Sequence, residues 1–314
     1  MSTVEGRGSS LSGAAFATLL LIAFMMGSNH VAARVAFDHG VDVATAVGFR
    51  STVTALVVGV LLVVQRVPLR TTRRQARFAL PLIGLLIGAQ ALCLYSAVAR
   101  LPVALALLAF NTFPLWIAGW ARLVYGHRPD RRVVVAMPVM LLGLALALDV
   151  LGAASGLGAQ AQWARIGVGV AFALAAAAVF GLALVLTQHE AGDLDGRLRT
   201  ASTLGIAALV AFAAIGVQGE FHFPRAPAGW WGLLALTFLY GTAFTIMFTV
   251  LPKLGVVRHS AIMNVEPIVA LVLAWALLGQ SIAVSQVGGS LLVVATVVWL
   301  GLGRQPAAVP AAAD

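Results

Sequence analysis

Charge is scarce in this sequence. Asp, Glu, Lys and Arg make up 10% of its 314 residues, hydrophobic residues make up 61%, and mean hydropathy is +0.99. A soluble domain of this length needs far more polar surface, so a water-soluble fold is excluded. Cysteine is nearly missing. The single Cys93 sits in an apolar run, which rules out a disulfide framework or a cysteine metal site. The histidines are scattered without metal-ligand spacing, so no metal is expected. There is no phosphate loop, no dinucleotide fingerprint and no G-x-S-x-G. ATP-driven work, dinucleotide chemistry and serine hydrolysis therefore have no sequence support, and no cofactor is expected. The formal net charge of +9 could suit nucleic acid. Its carriers are mostly Arg at segment ends and in short loops, which is the pattern of membrane topology control instead.

Long apolar segments fill the rest. Ten of them cover 14–36, 43–64, 78–99, 102–124, 132–150, 165–188, 199–218, 229–251, 256–278 and 283–303. Each has roughly 20 residues, the length of a helix that crosses a bilayer. The expected fold is an all-α integral membrane protein with ten transmembrane helices. More apolar segments follow the short polar head 1–13, so it reads as a tail and not as a cleaved signal. The Ala/Pro stretch 304–314 reads as a second tail. Arg7, Arg66, Arg70, Arg73, Arg74, Arg77, Arg122, Arg128, Arg131, Arg132, Arg197, Arg199, Lys253, Arg258 and Arg304 fall on one side; Arg34, Arg100, Arg165 and Arg225 fall on the other. The richer side should be cytoplasmic and should hold both termini.

The chain also repeats itself. Gly88, Leu101, Val103, Asn111, Pro114, Ala121, Gly126 and Val134 recur 153 residues later as Gly241, Leu254, Val256, Asn264, Pro267, Ala274, Gly279 and Val287. Two five-helix repeats, 14–150 and 165–303, follow. Five is odd, so the repeats should be inverted relative to each other, a common construction for alternating-access transporters.

Polar groups inside the membrane are costly and therefore informative. Asn111 and Asn264 each fall near the middle of a segment, three residues before Pro114 and Pro267. Each proline removes a backbone donor, freeing the carbonyl of Phe110 or Met263. A kinked helix would then offer an amide and a carbonyl at one depth, twice, which suits a polar small molecule. The plainer reading is a pair of kinks with Asn joining helices. Glu266 is the one carboxylate deep in a segment and Arg50 the one base. They fit a structural ion pair with each other, or proton uptake by Glu266 and a substrate carboxylate on Arg50. His30, after Asn29, could couple transport to protons or serve as a neutral wall residue. Gln90 could line the same cavity, with Tyr95, Tyr240 and Trp116 as aromatic walls.

With these motifs in this order, the chain resembles the EamA-type branch of the drug/metabolite transporter superfamily. Gly27-Ser28-Asn29, Phe49-Arg50, Arg100-Leu101-Pro102-Val103 through Pro114, and Lys253-Leu254-Gly255 through Glu266-Pro267 carry the resemblance. It departs at Gly126-His127-Arg128 and Gly279-Gln280-Ser281, where the family has Gly-Glu-Arg, and at Met26, where it usually has Trp. The resemblance implies an inner-membrane exporter of amino acids or related metabolites, working without ATP. An importer, exchanger or multidrug exporter is the alternative within the superfamily. A membrane scaffold or a lipid-acting enzyme is the alternative outside it. The implied partners are a small-molecule substrate and the bilayer; a homodimer is compatible and nucleic acid is not expected.

Overall fold

A computed structural model describes residues 13–128, 131–250, 265–280 and 283–301. Every regular element in it is helical. The helices are α1 (Gly13–Asp38), α2 (Val43–Val64), α3 (Leu80–Val98), α4 (Val103–Phe110), α5 (Phe113–Tyr125), α6 (Arg131–Ala147), α7 (Ala159–Glu190), α8 (Gly196–Gln218), α9 (Pro227–Thr249), α10 (Glu266–Leu278) and α11 (Val284–Gly301). A π-helical turn, Gln75–Ala79, leads into α3.

Among the described residues, seven helical stretches are long and apolar enough to cross a bilayer: Phe16–Asp38, Val43–Val64, Gln75–Val98, Val103–Tyr125, Ala159–Glu190, Gly196–Gln218 and Pro227–Thr249. Glu266–Leu278 and Gln286–Leu300 are apolar but shorter. Leu56, Val60, Val63 and Val64 form an exposed apolar stripe on α2, which suits lipid and not water.

The helices pair across the two halves of the chain. α1 packs on α9, α2 on α8, α3 on α7 and α6 on α11. α5 packs on α7 as α10 packs on α1. Exchanging α1–α3 with α7–α9, α5 with α10 and α6 with α11 maps this set of pairings onto itself. The packing therefore has the two-fold pattern of the duplicated sequence. Small residues permit the closest approaches. A Cβ on Gly84 of α3 would lie 2.6 Å from the Ile206 side chain of α8, and one on Gly88 2.9 Å from that of Val210, so the face that carries these two glycines is where α3 and α8 meet.

Candidate functional site

The fourth apolar segment is broken where a kinked continuous helix is expected. Pro114 has no N–H for the Phe110 carbonyl, and the chain turns at Asn111-Thr112. The Asn111 N–H donates to Leu107 O at 2.8 Å, and the Thr112 hydroxyl donates to Ala109 O at 2.8 Å. These bonds close α4, and α5 restarts at Phe113. In the second half α10 likewise starts at Glu266, just ahead of Pro267. Asn264 and Lys253 lie outside the described residues.

Beside the break is a cavity of about 1010 Å³, ample for a small organic ligand. Its floor is polar. The Arg50 Nη1–H donates to the Tyr95 hydroxyl at 2.7 Å, and that hydroxyl donates to Asn29 Oδ1 at 3.0 Å. The guanidinium carbon lies 4.0 Å from the Tyr240 ring centre and 4.6 Å from that of Tyr95. Such contacts contribute about 2 kcal/mol each when desolvated. That offsets part of the roughly 2.5–3.5 kcal/mol that a basic residue costs at a helix centre in a membrane. Arg50 Nε and Asn29 Nδ2 are buried without a hydrogen-bond partner.

The expected Arg50–Glu266 ion pair is not what forms. Glu266 Oε1 lies 3.1 Å from His30 Nε2. Because α10 starts at Glu266, the carboxylate occupies a helix N-terminus, where the backbone dipole favours negative charge. His30 Nδ1 is buried without a partner. The Nε2–H tautomer therefore suits the contact and leaves Nδ1 the unused position.

The cavity is asymmetric along the bundle. On α3 it is lined from Ile83 to Tyr95 and no further; on α1 by Met26 and His30; on α4 by Leu107 but not Val103. Beyond Tyr95 the bundle is solid, with Ala97, Val98, Leu101, Val103 and Ala104 all buried. Arg34 ties this end together. Its Nη1 donates to the carbonyls of Val98 and Ala99 at 3.1 and 3.2 Å, and its Nε lies 2.9 Å from Asp38 Oδ1. At the other end His127, Arg128, Arg132 and Arg199 line the cavity, and the loop residues His127 and Arg128 are exposed. This end is the mouth.

Of the residues expected from sequence, Asn111, His30, Gln90, Arg50, Tyr95, Tyr240, Glu266 and Pro114 line this one cavity. Asn29 stands behind it, holding Tyr95. Pro267 is buried in α10. Trp116 is a correction: it does not line the cavity. The α5 residues that do are Phe113, Pro114, Ile117, Ala118 and Ala121, one helical face. Trp116 and Trp120 fall on another, where Trp120 Nε1 donates to Ala178 O of α7 at 2.9 Å. Sequence reasoning named Tyr95 and Tyr240 but missed the phenylalanines that line the cavity with them. Phe110, Phe113 and Phe180 cluster with ring centres 5.3–5.7 Å apart. Tyr240, Phe244 and Phe248 form a ladder along α9. Their four-residue spacing was a readable signal for one face.

A model of the EamA-like transporter family matches residues 12–148 and 167–302. No curated protein matches the chain significantly. A solved structure described as "Crystal structure of protein" is similar in fold, with TM-score 0.58 and 19% identity over 93% of this chain and 99% of that one.

Proposed function

This chain belongs to the EamA-like transporter family, and from that premise we propose that it is a secondary exporter of amino acids or related small metabolites. A multi-pass membrane protein of a transporter family takes a small-molecule substrate and the bilayer as partners. We read the ten apolar segments as ten spans in two inverted five-helix repeats. The Arg-rich mouth then faces the cytoplasm and the Arg34 end faces outward. The observation that carries this reading is the cavity itself, polar at its floor, lined at a basic mouth and solid beyond Tyr95. A chamber continuous with one end of the bundle is half of an alternating-access cycle; rocking of the halves supplies the other. With no phosphate loop in the sequence, the driving force is a gradient, and Glu266 with His30 is the proposed proton site. In this scheme Asn111 and Asn264 bind substrate from the two halves. Asn111→Leu and Asn264→Leu should each lower export at least tenfold at unchanged membrane abundance, measured as metabolite release from expressing cells. Undiminished release in both variants removes the central site.

A further inference from the structure

The charges of the cavity are unbalanced. Glu266 is the sole carboxylate among its described lining residues, and it is already held by His30. Against it stand Arg50 at the floor and Arg128 and Arg199 toward the mouth. Arg50 decides the matter. It is 5% exposed, its Nε–H has no acceptor, and no described carboxylate lies within ion-pair distance of it. Two tyrosine rings and one hydroxyl hold the guanidinium in place, but none of them neutralises it. A buried cation held in position without a counter-ion is the receiving half of a charge-assisted contact.

The walls specify the rest of the ligand. Phe110, Phe113 and Phe180 line the cavity as one cluster and Tyr240, Phe244 and Phe248 as another. A small inorganic anion on Arg50 would leave these aromatic walls without contact. A ring or branched hydrocarbon finds extensive apolar and aromatic contact. The basic mouth raises the local concentration of anions and lowers that of cations.

We infer that the substrate is a net-anionic organic carboxylate with a bulky apolar or aromatic body, bound with its carboxylate on Arg50 between Tyr95 and Tyr240. The inference rests on the transporter reading and narrows it, from amino acids and their relatives to the relatives that lack a compensating ammonium.

Three probes share one ring and chain while differing in charge: 3-phenylpropionate, phenylalanine and phenethylamine. Their binding to the full chain in lipid nanodiscs is measured by calorimetry. 3-Phenylpropionate should bind at least tenfold more tightly than either of the others. Arg50→Gln should weaken it at least tenfold, and Arg50→Lys by less. Arg128→Gln, in an exposed loop that cannot disturb the core, should slow association of the anion severalfold and leave phenethylamine unslowed. Equal or tighter binding of phenylalanine or phenethylamine overturns the inference. So does unchanged affinity in a folded Arg50→Gln, an unslowed Arg128→Gln, or no binding of the three. Flux in proteoliposomes separates the two readings. Phenylalanine carried without 3-phenylpropionate leaves the transporter standing and sinks the anion. 3-Phenylpropionate bound but never carried, with none of the three carried, leaves an anion site, counts against transport itself and overturns the anion as substrate.

Discussion

The Glu266 carboxylate lies 3.1 Å from Nε2 of His30, and this contact joins α10 of the second half to α1 of the first. In the proposed cycle, a titratable pair that bridges the two sequence repeats is placed to link protonation to conformational state. Glu266→Gln keeps the shape and removes the charge. If the pair is the proton site, transport by this variant should show little of the wild type's response to pH, read in proteoliposomes with a pH-sensitive dye. An inserted Glu266→Gln protein that still responds to pH like the wild type would rule out this pair as the proton site.

Gly27 makes that contact reachable. A Cβ at this position would lie 2.8 Å from the Glu266 carbonyl oxygen and 3.0 Å from Val269 Cβ. Backbone oxygen cannot retreat as a flexible side chain can. Gly27→Ala should push the start of α10 away from α1 and destabilise the protein by about 1–3 kcal/mol, the usual cost of overpacking. A clear fall in melting temperature is expected, together with weaker export. Unchanged melting and unchanged export would show that α1 and α10 do not need this approach.

Arg34 ties the ends of α1 and α3 together at the solid end of the bundle. Its bonds to the carbonyls of Val98 and Ala99 reach the C-terminus of α3, and its Asp38 partner lies at the end of α1. Arg34→Gln removes the ion pair and shortens the reach. A cysteine placed at the buried Ala104, with Cys93 changed to Ala, should then react severalfold faster with an impermeant maleimide supplied from the Arg34 side. Equal labelling with and without Arg34 would assign closure of that end to apolar packing alone.

Asp195 caps α8, accepting from the Arg197 N–H at 2.9 Å and meeting its guanidinium at 2.6 Å. The hydrogen bond from the Arg197 side chain, with help from backbone N–H groups, holds the Asp195 carboxyl below the usual carboxylate range. A depressed pKa in the folded state means the stabilisation is complete above the unfolded value, near 4. It is lost as pH falls through the lower folded value. Asp195→Ala should cost ~1 kcal/mol at neutral pH through loss of the cap, and the difference from wild type should shrink in strong acid. Thermal melts across pH 2–7 test this; a difference that persists undiminished at the acid end contradicts the assignment.

Much of this was legible in order of residues. Hydropathy alone determined an all-helical membrane class, because a chain so poor in polar groups can satisfy its backbone in hydrocarbon mainly by making helices. The repeat from Gly88 to Gly241 announced two related halves, and the packing pairs them by that pattern. The cost of burying Arg50, His30 and Glu266 singled them out before any fold was known. What the order of residues could not supply was who faces whom. The order of residues offered Glu266 one partner, Arg50, and the start of α10 beside α1 brought it to His30 instead. Trp116 looked like a wall residue until the break at Asn111-Thr112 set the face that α5 turns to the cavity. The phase of a helix after a break depends on the dihedral angles of the break, and the pairing of charges depends on distances between segments far apart in sequence. Composition and periodicity carry neither, so the membrane class and the candidate residues belong to the sequence, while their partners, the solid end at Arg34 and an Arg50 with no carboxylate beside it among the described residues belong to the tertiary structure.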